Sequence, residues 1–98
     1  MVLHTVNQSP HNSQTLADCL RTISAPAILL LIEDGVYGAT AASQALFEQL
    51  PAAVECYALQ ADIDARGLTD TASDRFTLID DAGFVELSVR CNPIQSWY

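Results

Sequence analysis

Short apolar runs alternate along this chain with stretches whose apolar positions follow helical spacing. Residues 1–6 and 54–59 each predict a strand. Residues 27–32 are continuously apolar, as expected for a strand buried on both faces of a sheet. In residues 84–90 apolar and polar side chains alternate, which predicts a half-exposed strand near a sheet edge.

The first helix is predicted just after a polar loop. Ser13 suits an N-cap, and Leu16, Leu20 and Ile23 follow it at helical spacing until Pro26 stops the helix. The remaining segments are predicted, in order, as an alanine-rich helix at 36–50 ended by Pro51, a helical turn or two at 60–66 closed by Gly67, a weaker helix at 69–79 and a turn at 80–83.

Strands separated by helices imply a mostly parallel sheet with helices on both faces. The chain has 98 residues and shows no linker or internal repeat, so one domain over 1–98 is expected. The predicted fold class is α/β, a single-domain three-layer sandwich with an open sheet of about four strands.

Functional groups in such sheets collect at the loops that follow the carboxyl ends of the strands. Three loops qualify here, at 7–13, 33–35 and 60–62. None is a phosphate-binding loop, because GxGxxG and GxxxxGKS are both absent. A Ser-His-Asp set can be assembled from Ser9, His11 and Asp34, but nothing in the sequence places them in register and no GxSxG motif exists.

Asp34 and His4 each have a catalytic and a structural interpretation. Asp34 is a candidate general acid or base, or else the N-cap of the helix after Gly35, which the capping preference of Asp favours. His4 lies within the first strand, where a lone histidine is more often a core or interface residue than a catalyst. No CxxC pair exists and neither histidine stands at ligand spacing from a cysteine, so no metal or cofactor site is predicted.

The three cysteines, Cys19, Cys56 and Cys91, are widely spaced and are expected to be free thiols. Cys19 lies three residues after Leu16, so it either packs on the apolar face of the first helix or serves as a nucleophile that carries a persulfide. A reactive thiolate needs a nearby cation or a helix N-terminus, and Arg21 points to another side of the helix. Cys56 is expected in the core, whereas Cys91 ends the last predicted strand and could be exposed.

The apolar content of the chain is high for its size. Half of the residues are hydrophobic, only 16% are charged, and the chain ends on Trp97 and Tyr98. We therefore expect a subunit interface, and an aromatic tail docked on this domain or on a neighbour. No apolar run approaches the roughly 20 residues of a membrane helix and no signal peptide is visible, so a cytoplasmic protein without membrane contact is expected.

The charge balance argues against direct binding of nucleic acid. The chain has four Arg, no Lys and twelve Asp or Glu, for a net charge of −8. Phosphate backbones are bound by clustered cations, whereas the arginines here are dispersed along the chain. An acidic surface fits solubility or a basic protein partner.

Several stretches, taken in their order and spacing, resemble the TusB/DsrH family nearly from end to end. These are Leu3-His-Thr-Val6, Ser9-Pro10, Leu16-Ala-Asp-Cys-Leu20, Leu30-Leu-Ile-Glu-Asp-Gly-Val-Tyr37, Cys56-Tyr-Ala-Leu-Gln-Ala-Asp62, Ala65-Arg-Gly-Leu68, Phe84-Val-Glu-Leu87 and Gln95-Ser-Trp97.

The resemblance implies a DsrE-like fold and a subunit of a sulfur-relay complex. In TusBCD, a heterohexamer with TusC and TusD, persulfide sulfur passes from TusA toward TusE and is finally used by MnmA for 2-thiolation of the tRNA wobble uridine. DsrH is the equivalent subunit of DsrEFH in sulfur oxidation, where DsrE and DsrF are its partners and sulfur is exchanged with TusA and DsrC. The principal sulfur-carrying cysteine of both complexes belongs to the TusD or DsrE subunit, whereas Cys19 matches a first-helix cysteine found in DsrH-type members.

Three functional hypotheses follow. The chain is a structural and docking subunit of a sulfur-relay complex, or it is itself a sulfurtransferase subunit that uses Cys19 as a persulfide carrier. Outside the family, the remaining hypothesis is a small stand-alone α/β binding domain. The exposure of Cys19 distinguishes the first two hypotheses, because a carrier thiol must reach a partner's persulfide.

Overall fold

The computed structural model describes all 98 residues. The strands are β1 (Val2–Val6), β2 (Ala27–Leu31), β3 (Val54–Leu59), β4 (Thr77–Ile79) and β5 (Ile94–Trp97). The α-helices are α1 (Thr15–Thr22), α2 (Gln60–Ala65) and α3 (Asp81–Arg90), and 3₁₀ helices cover Glu33–Ala39, Ala41–Phe47 and Thr69–Thr71. None of these helices has the length and apolar content that a membrane-spanning helix requires.

All five strands form one parallel sheet in the order β4-β3-β2-β1-β5. This arrangement confirms the predicted α/β class and the parallel open sheet with helices on both faces, although the sheet has five strands rather than about four. β2 is the central strand and all its residues are buried, as its continuous apolar run predicts.

The two faces of the sheet carry separate apolar clusters. On the first face α1, two 3₁₀ helices and α2 pack on the sheet through residues such as Leu16, Val36, Phe47 and Ile63. On the second face α3 is the only helix whose side chains join the cluster, through Leu87 and the partly buried Phe84. The helical layer on the second face of the sheet is therefore much smaller than the helical layer on the first face.

The predicted helix at 36–50 is wrong, because two 3₁₀ helices replace it and break at Thr40. Thr40 is extended and forms an isolated antiparallel bridge with Ala72. The hydroxyls of Thr40 and Ser43 both donate to the carbonyl oxygen of Tyr37, at 2.8 and 3.1 Å. Such side-chain bonds compete with the backbone ladder of an α-helix, which the alanine content alone did not reveal.

The predicted helix at 69–79 is also wrong. Its polar first half forms a single 3₁₀ turn, in which Thr69 donates to the Asp64 carboxylate at 3.0 Å. Its apolar end becomes the edge strand β4, where Leu78 packs on the first cluster and Ile79 on the second. Adjacent side chains of a strand point to opposite faces of the sheet, so Leu78 and Ile79 reach different clusters. Adjacent side chains of a helix do not point in opposite directions.

The predicted turn at 80–83 and the predicted strand at 84–90 are both wrong, because Asp81–Arg90 form helix α3. Asp80 is its N-cap, and the carboxylate accepts the backbone N–H of Gly83 at 2.8 Å. Phe84, Leu87 and Cys91 then recur at helical spacing and face the second cluster. The apparent alternation arose because Val85 and Val89 are apolar residues on the outer side of the helix, where they are exposed.

The aromatic tail docks on this domain as strand β5, which lies at the sheet edge beside β1. Trp97 packs against the first cluster, whereas Tyr98 remains 69% exposed. The burial expected for the tail is therefore met by its tryptophan and not by its terminal tyrosine.

Candidate functional site

Cys19 lies on the buried side of helix α1. It follows Leu16 by three residues and precedes Ile23 by four, so the three side chains share the helix face that packs on the first cluster. The relative exposure of Cys19 is 0%. In this structure the thiol therefore does not reach solvent or a partner.

The surroundings of Cys19 also oppose ionisation. Burial raises the pKa of its thiol to about 12. At pH 7 the thiol is therefore almost entirely protonated. Arg21 does not offset the burial, because its exposed guanidinium pairs with Asp18. The persulfide role of Cys19 stays a prediction, and it would require α1 to move.

The other two cysteines are buried as well, and all three are free thiols. Burial raises the pKa of Cys56 to about 11, and the charge of Arg75 opposes that shift. Cys91, which the sequence left open to exposure, is only 4% exposed because it closes the second cluster after α3. All three thiols are buried, so none of them can attack another molecule in this conformation.

A polar clamp joins two of the predicted strand-end loops. The backbone N–H of Glu33 donates to the Asp62 carboxylate at 2.7 Å, and Glu33 has the only positive φ of a non-glycine residue, 50°. Arg66 of the following turn pairs with Asp34 at 2.9 Å and donates to the carbonyl oxygen of Asp62 at 3.2 Å. The loops after β2 and β3 are thereby fixed to one another.

This clamp replaces the capping role predicted for Asp34. The 3₁₀ helix that begins at Glu33 has Ile32 at its N-cap, with no side-chain cap bond. Asp34 is instead the ion-pair partner of Arg66. The role of Arg66 was not predicted from the sequence, although Asp62 and Arg66 stand four residues apart on one helical face.

The structure does not assemble the Ser9, His11 and Asp34 triad. The Ser9 hydroxyl accepts the backbone N–H of His11 at 3.2 Å, so it bonds the histidine main chain and not the imidazole. The His11 ring packs edge-on against Tyr37 at 6.1 Å, and Asp34 belongs to the clamp. These residues therefore fold the first loop rather than activate a hydroxyl.

His4 and Trp97 form a buried polar pair that ties the tail to the sheet. The indole Nε1 of Trp97 donates to Nδ1 of His4 at 3.0 Å. His4 is 8% exposed, and burial lowers its pKa below the usual 6.5. His4 is thus a hydrogen-bonded core residue, as predicted, and its neutral form is the one that can accept this bond.

Two open clefts, each about 400 Å³, interrupt the surface. One lies between α1 and the second 3₁₀ helix and is lined mainly by apolar side chains, among them Leu20, Leu46 and Leu50. The other lies where β4 meets α3 and is lined by Gln60, Leu78, Ile79, Asp80 and Gly83. Neither cleft contains a cysteine, and nowhere in the chain do three or more His, Cys, Asp or Glu side chains meet as a metal site.

Comparison with known proteins places the chain in a family. Residues 8–93 match the family model described as "DsrH like protein". Protein TusB of Serratia proteamaculans is 40% identical over 96 residues, which cover 98% of this chain and all of that protein. Protein TusB of Escherichia coli K12 is 38% identical and that of Pectobacterium parmentieri 35% identical, each with the same coverage.

Two solved structures share the architecture. The ychN protein of E. coli superposes with a TM-score of 0.83 over 97% of both chains at 18% identity, which shows the shared fold. Protein Tm0979 of Thermotoga maritima superposes with a TM-score of 0.65 at 25% identity over 89% of this chain and 90% of its own. The resemblance inferred from the sequence is confirmed, and the chain belongs to the DsrH-like protein family.

Proposed function

We propose that this chain is a subunit of a cytoplasmic sulfur-relay complex and acts there by docking, without carrying sulfur itself. The relay would pass persulfide sulfur from a TusA-like donor to a TusE-like acceptor, for 2-thiolation of the tRNA wobble uridine. TusC-like and TusD-like subunits would complete the complex, and the sulfur-carrying cysteine would belong to the TusD-like partner.

The choice of pathway rests on end-to-end similarity to proteins named TusB. The relatives from Serratia, Escherichia and Pectobacterium match along their whole length, so no domain of theirs is missing from this chain. A DsrH-like subunit in sulfur oxidation, with DsrE-like and DsrF-like partners and a DsrC-like acceptor, is the alternative assignment. The description of the family model alone does not favour either pathway.

The docking role rests on one observation, the complete burial of Cys19. A persulfide carrier must be reached by the sulfur of another protein, and its thiol must ionise near neutral pH. Cys19 meets neither condition in this structure, because it is sealed under α1 and its pKa is raised to about 12. The competing proposal keeps Cys19 as a persulfide carrier and requires partner binding to open the first helix.

The proposal is tested by deleting the gene of this chain in its source organism and measuring 2-thiouridine in tRNA by mass spectrometry. We expect the modification to fall strongly and to return when either the wild-type gene or a Cys19→Ala variant is supplied. Tagged wild-type protein should co-purify with TusC-like and TusD-like subunits. Unchanged 2-thiouridine in the deletion strain would contradict the tRNA assignment, and loss of sulfur oxidation in its place would establish the alternative.

A further inference from the structure

The last strand of the sheet, β5, is held in place by few side-chain contacts. It is an edge strand that pairs with β1 alone, and three of its four residues are exposed. Trp97 is the only β5 side chain that packs against an apolar cluster. Segments with few buried apolar contacts open locally at a lower free energy than the whole domain. The docking of β5 therefore depends mainly on Trp97.

The rest of the domain can keep its core without β5. Neither apolar cluster counts a β5 residue among its buried members. The buried members on the sheet belong to β1, β2 and β3, and the helices complete both clusters. Loss of β5 from the edge would thus leave four paired strands and both clusters in place.

The polar contact that holds Trp97 is made to a group that can take up a proton. The indole N–H of Trp97 donates to Nδ1 of His4 at 3.0 Å, and the other side-chain bond between the two strands joins the hydroxyls of Thr5 and Ser96 at 3.5 Å. Both nitrogens of a protonated imidazole carry hydrogen. A proton on Nδ1 would place two donors against each other, so His4 cannot be protonated and also accept from Trp97.

No ionic partner offsets a positive charge on His4. The elements that pack most closely on β1 are β2, β5 and α1, and neither strand carries a titratable side chain. On α1, Asp18 pairs with Arg21 on the exposed side, and Cys19 is a buried neutral thiol. Tyr98, which follows β5, is exposed, and none of the salt bridges in the chain includes His4.

We infer that His4 and Trp97 form a proton-sensitive latch, in which protonation of His4 releases β5 from β1 while the other four strands stay paired. The inference goes beyond the proposed docking role and does not depend on it. α1 packs on both β1 and β5, and Cys19 belongs to the cluster on which Trp97 packs. Release of β5 thus removes part of the support of the helix that covers Cys19.

The direction of the pH response follows from the burial of His4. While β5 is docked, burial holds the pKa of His4 below its usual 6.5. Release exposes the ring to water, so the released state binds the proton more readily than the docked state. The ratio of released to docked molecules should therefore rise as pH falls below 6.5, by up to about tenfold per pH unit.

Trp97 is the only tryptophan of the chain, so its fluorescence reports the latch directly. Between pH 7 and pH 5 we expect its emission maximum to move to longer wavelength and its quenching by acrylamide to increase, while far-UV circular dichroism shows the helices retained. His4→Asn keeps an amide acceptor that does not titrate in this range and should abolish both changes. His11→Gln removes the other histidine, which is exposed, and should leave both changes intact.

Hydrogen exchange of the wild type, corrected for the intrinsic effect of pH, gives a second measurement that needs no variant. Protection should be lost between pH 7 and pH 5 in Ile94–Trp97 and kept in β2 and β3. Simultaneous loss of protection in all strands would show global unfolding and overturn the latch. Unchanged exposure of Trp97 over this pH range, or an equal change in His4→Asn, would overturn it as well.

Discussion

At the scale of single residues, burial determines what the cysteines can do. The spacing of Cys19 from Leu16 indicated correctly that it lies on the apolar side of the first helix. The spacing could not show that Val6 of the neighbouring strand and the indole of Trp97 belong to the same cluster. These contacts come from residues far apart in the chain, so a sequence pattern within one helix does not contain them.

The first residue-scale prediction concerns alkylation. N-ethylmaleimide should label Cys19, Cys56 and Cys91 only slowly in the folded chain, because all three are buried, and quickly after unfolding in urea. A thiol introduced by Ser24→Cys is the matched control, since Ser24 is exposed just after α1 and should be labelled at once. Labelling of Cys19 as fast as this control would show that α1 opens in solution and would favour the carrier hypothesis.

The second residue-scale prediction concerns pH. The pKa of His4 is lowered in the folded state below its usual 6.5, so the unfolded chain binds more protons as the pH falls through that window. The free energy of unfolding should therefore decrease as pH falls from about 7 to about 5, by up to about 1.4 kcal/mol per pH unit. Protonated Nδ1 also cannot accept the Trp97 N–H.

Urea unfolding at several pH values measures this effect. The His4→Leu variant should lose the slope, whereas His11→Gln should retain it, because His11 is exposed and makes no side-chain hydrogen bond in the structure. An equal slope in wild type and His4→Leu would show that His4 does not control it.

At the scale of elements, apolar spacing predicted β1, β2, β3, α1 and the turn at Gln60–Ala65. It failed for residues 36–50, 69–79 and 84–90. In α3 the exposed Val85 and Val89 imitate the alternation of a strand. The helix is revealed by its cap at Asp80 and by the helical spacing of its buried residues. The strands at both sheet edges, β4 and β5, are too short for periodicity to define them, since they have three and four residues. Their pairing with distant strands determines them instead.

The element-scale prediction tests the cap of α3. Asp80→Ala removes the acceptor of the Gly83 N–H and should lower the free energy of unfolding by about 1 kcal/mol. In a domain of this size that loss lowers Tm by about 4–8 °C. Asp74→Ala is the matched control, because Asp74 is also an exposed aspartate but its carboxylate makes no hydrogen bond in the structure. Equal Tm values for the two variants would contradict the capping role.

At the scale of the whole molecule, the net charge and the thin helical cover on one face of the sheet support the proposed role as a subunit. The net charge of −8 was evident from the sequence, as was the apolar excess that suggested an interface. The exposed apolar side of α3 was not predictable, because residues 84–90 were assigned to a strand.

The same charge distribution predicts weak binding to tRNA. The four arginines are dispersed along the chain, and Arg21 and Arg66 are paired with carboxylates of this chain, so a cation cluster for phosphate is not expected. A gel-shift titration of the isolated chain with tRNA should show only non-specific affinity at physiological salt. Tight and salt-sensitive binding by this chain alone would contradict the assignment of tRNA contact to a later enzyme.

The central claim, that the chain serves the relay by docking and carries no sulfur on Cys19, is tested most directly by sulfur transfer in the reconstituted complex. The Cys19→Ala variant keeps a small apolar residue in the buried site and should assemble normally with the TusC-like and TusD-like subunits. Persulfide transfer from the TusA-like donor to the TusE-like acceptor, followed by mass spectrometry, should then proceed within about twofold of the wild-type rate. A fully assembled Cys19→Ala complex that has lost transfer, together with a persulfide found on Cys19 in the wild type, would contradict the account.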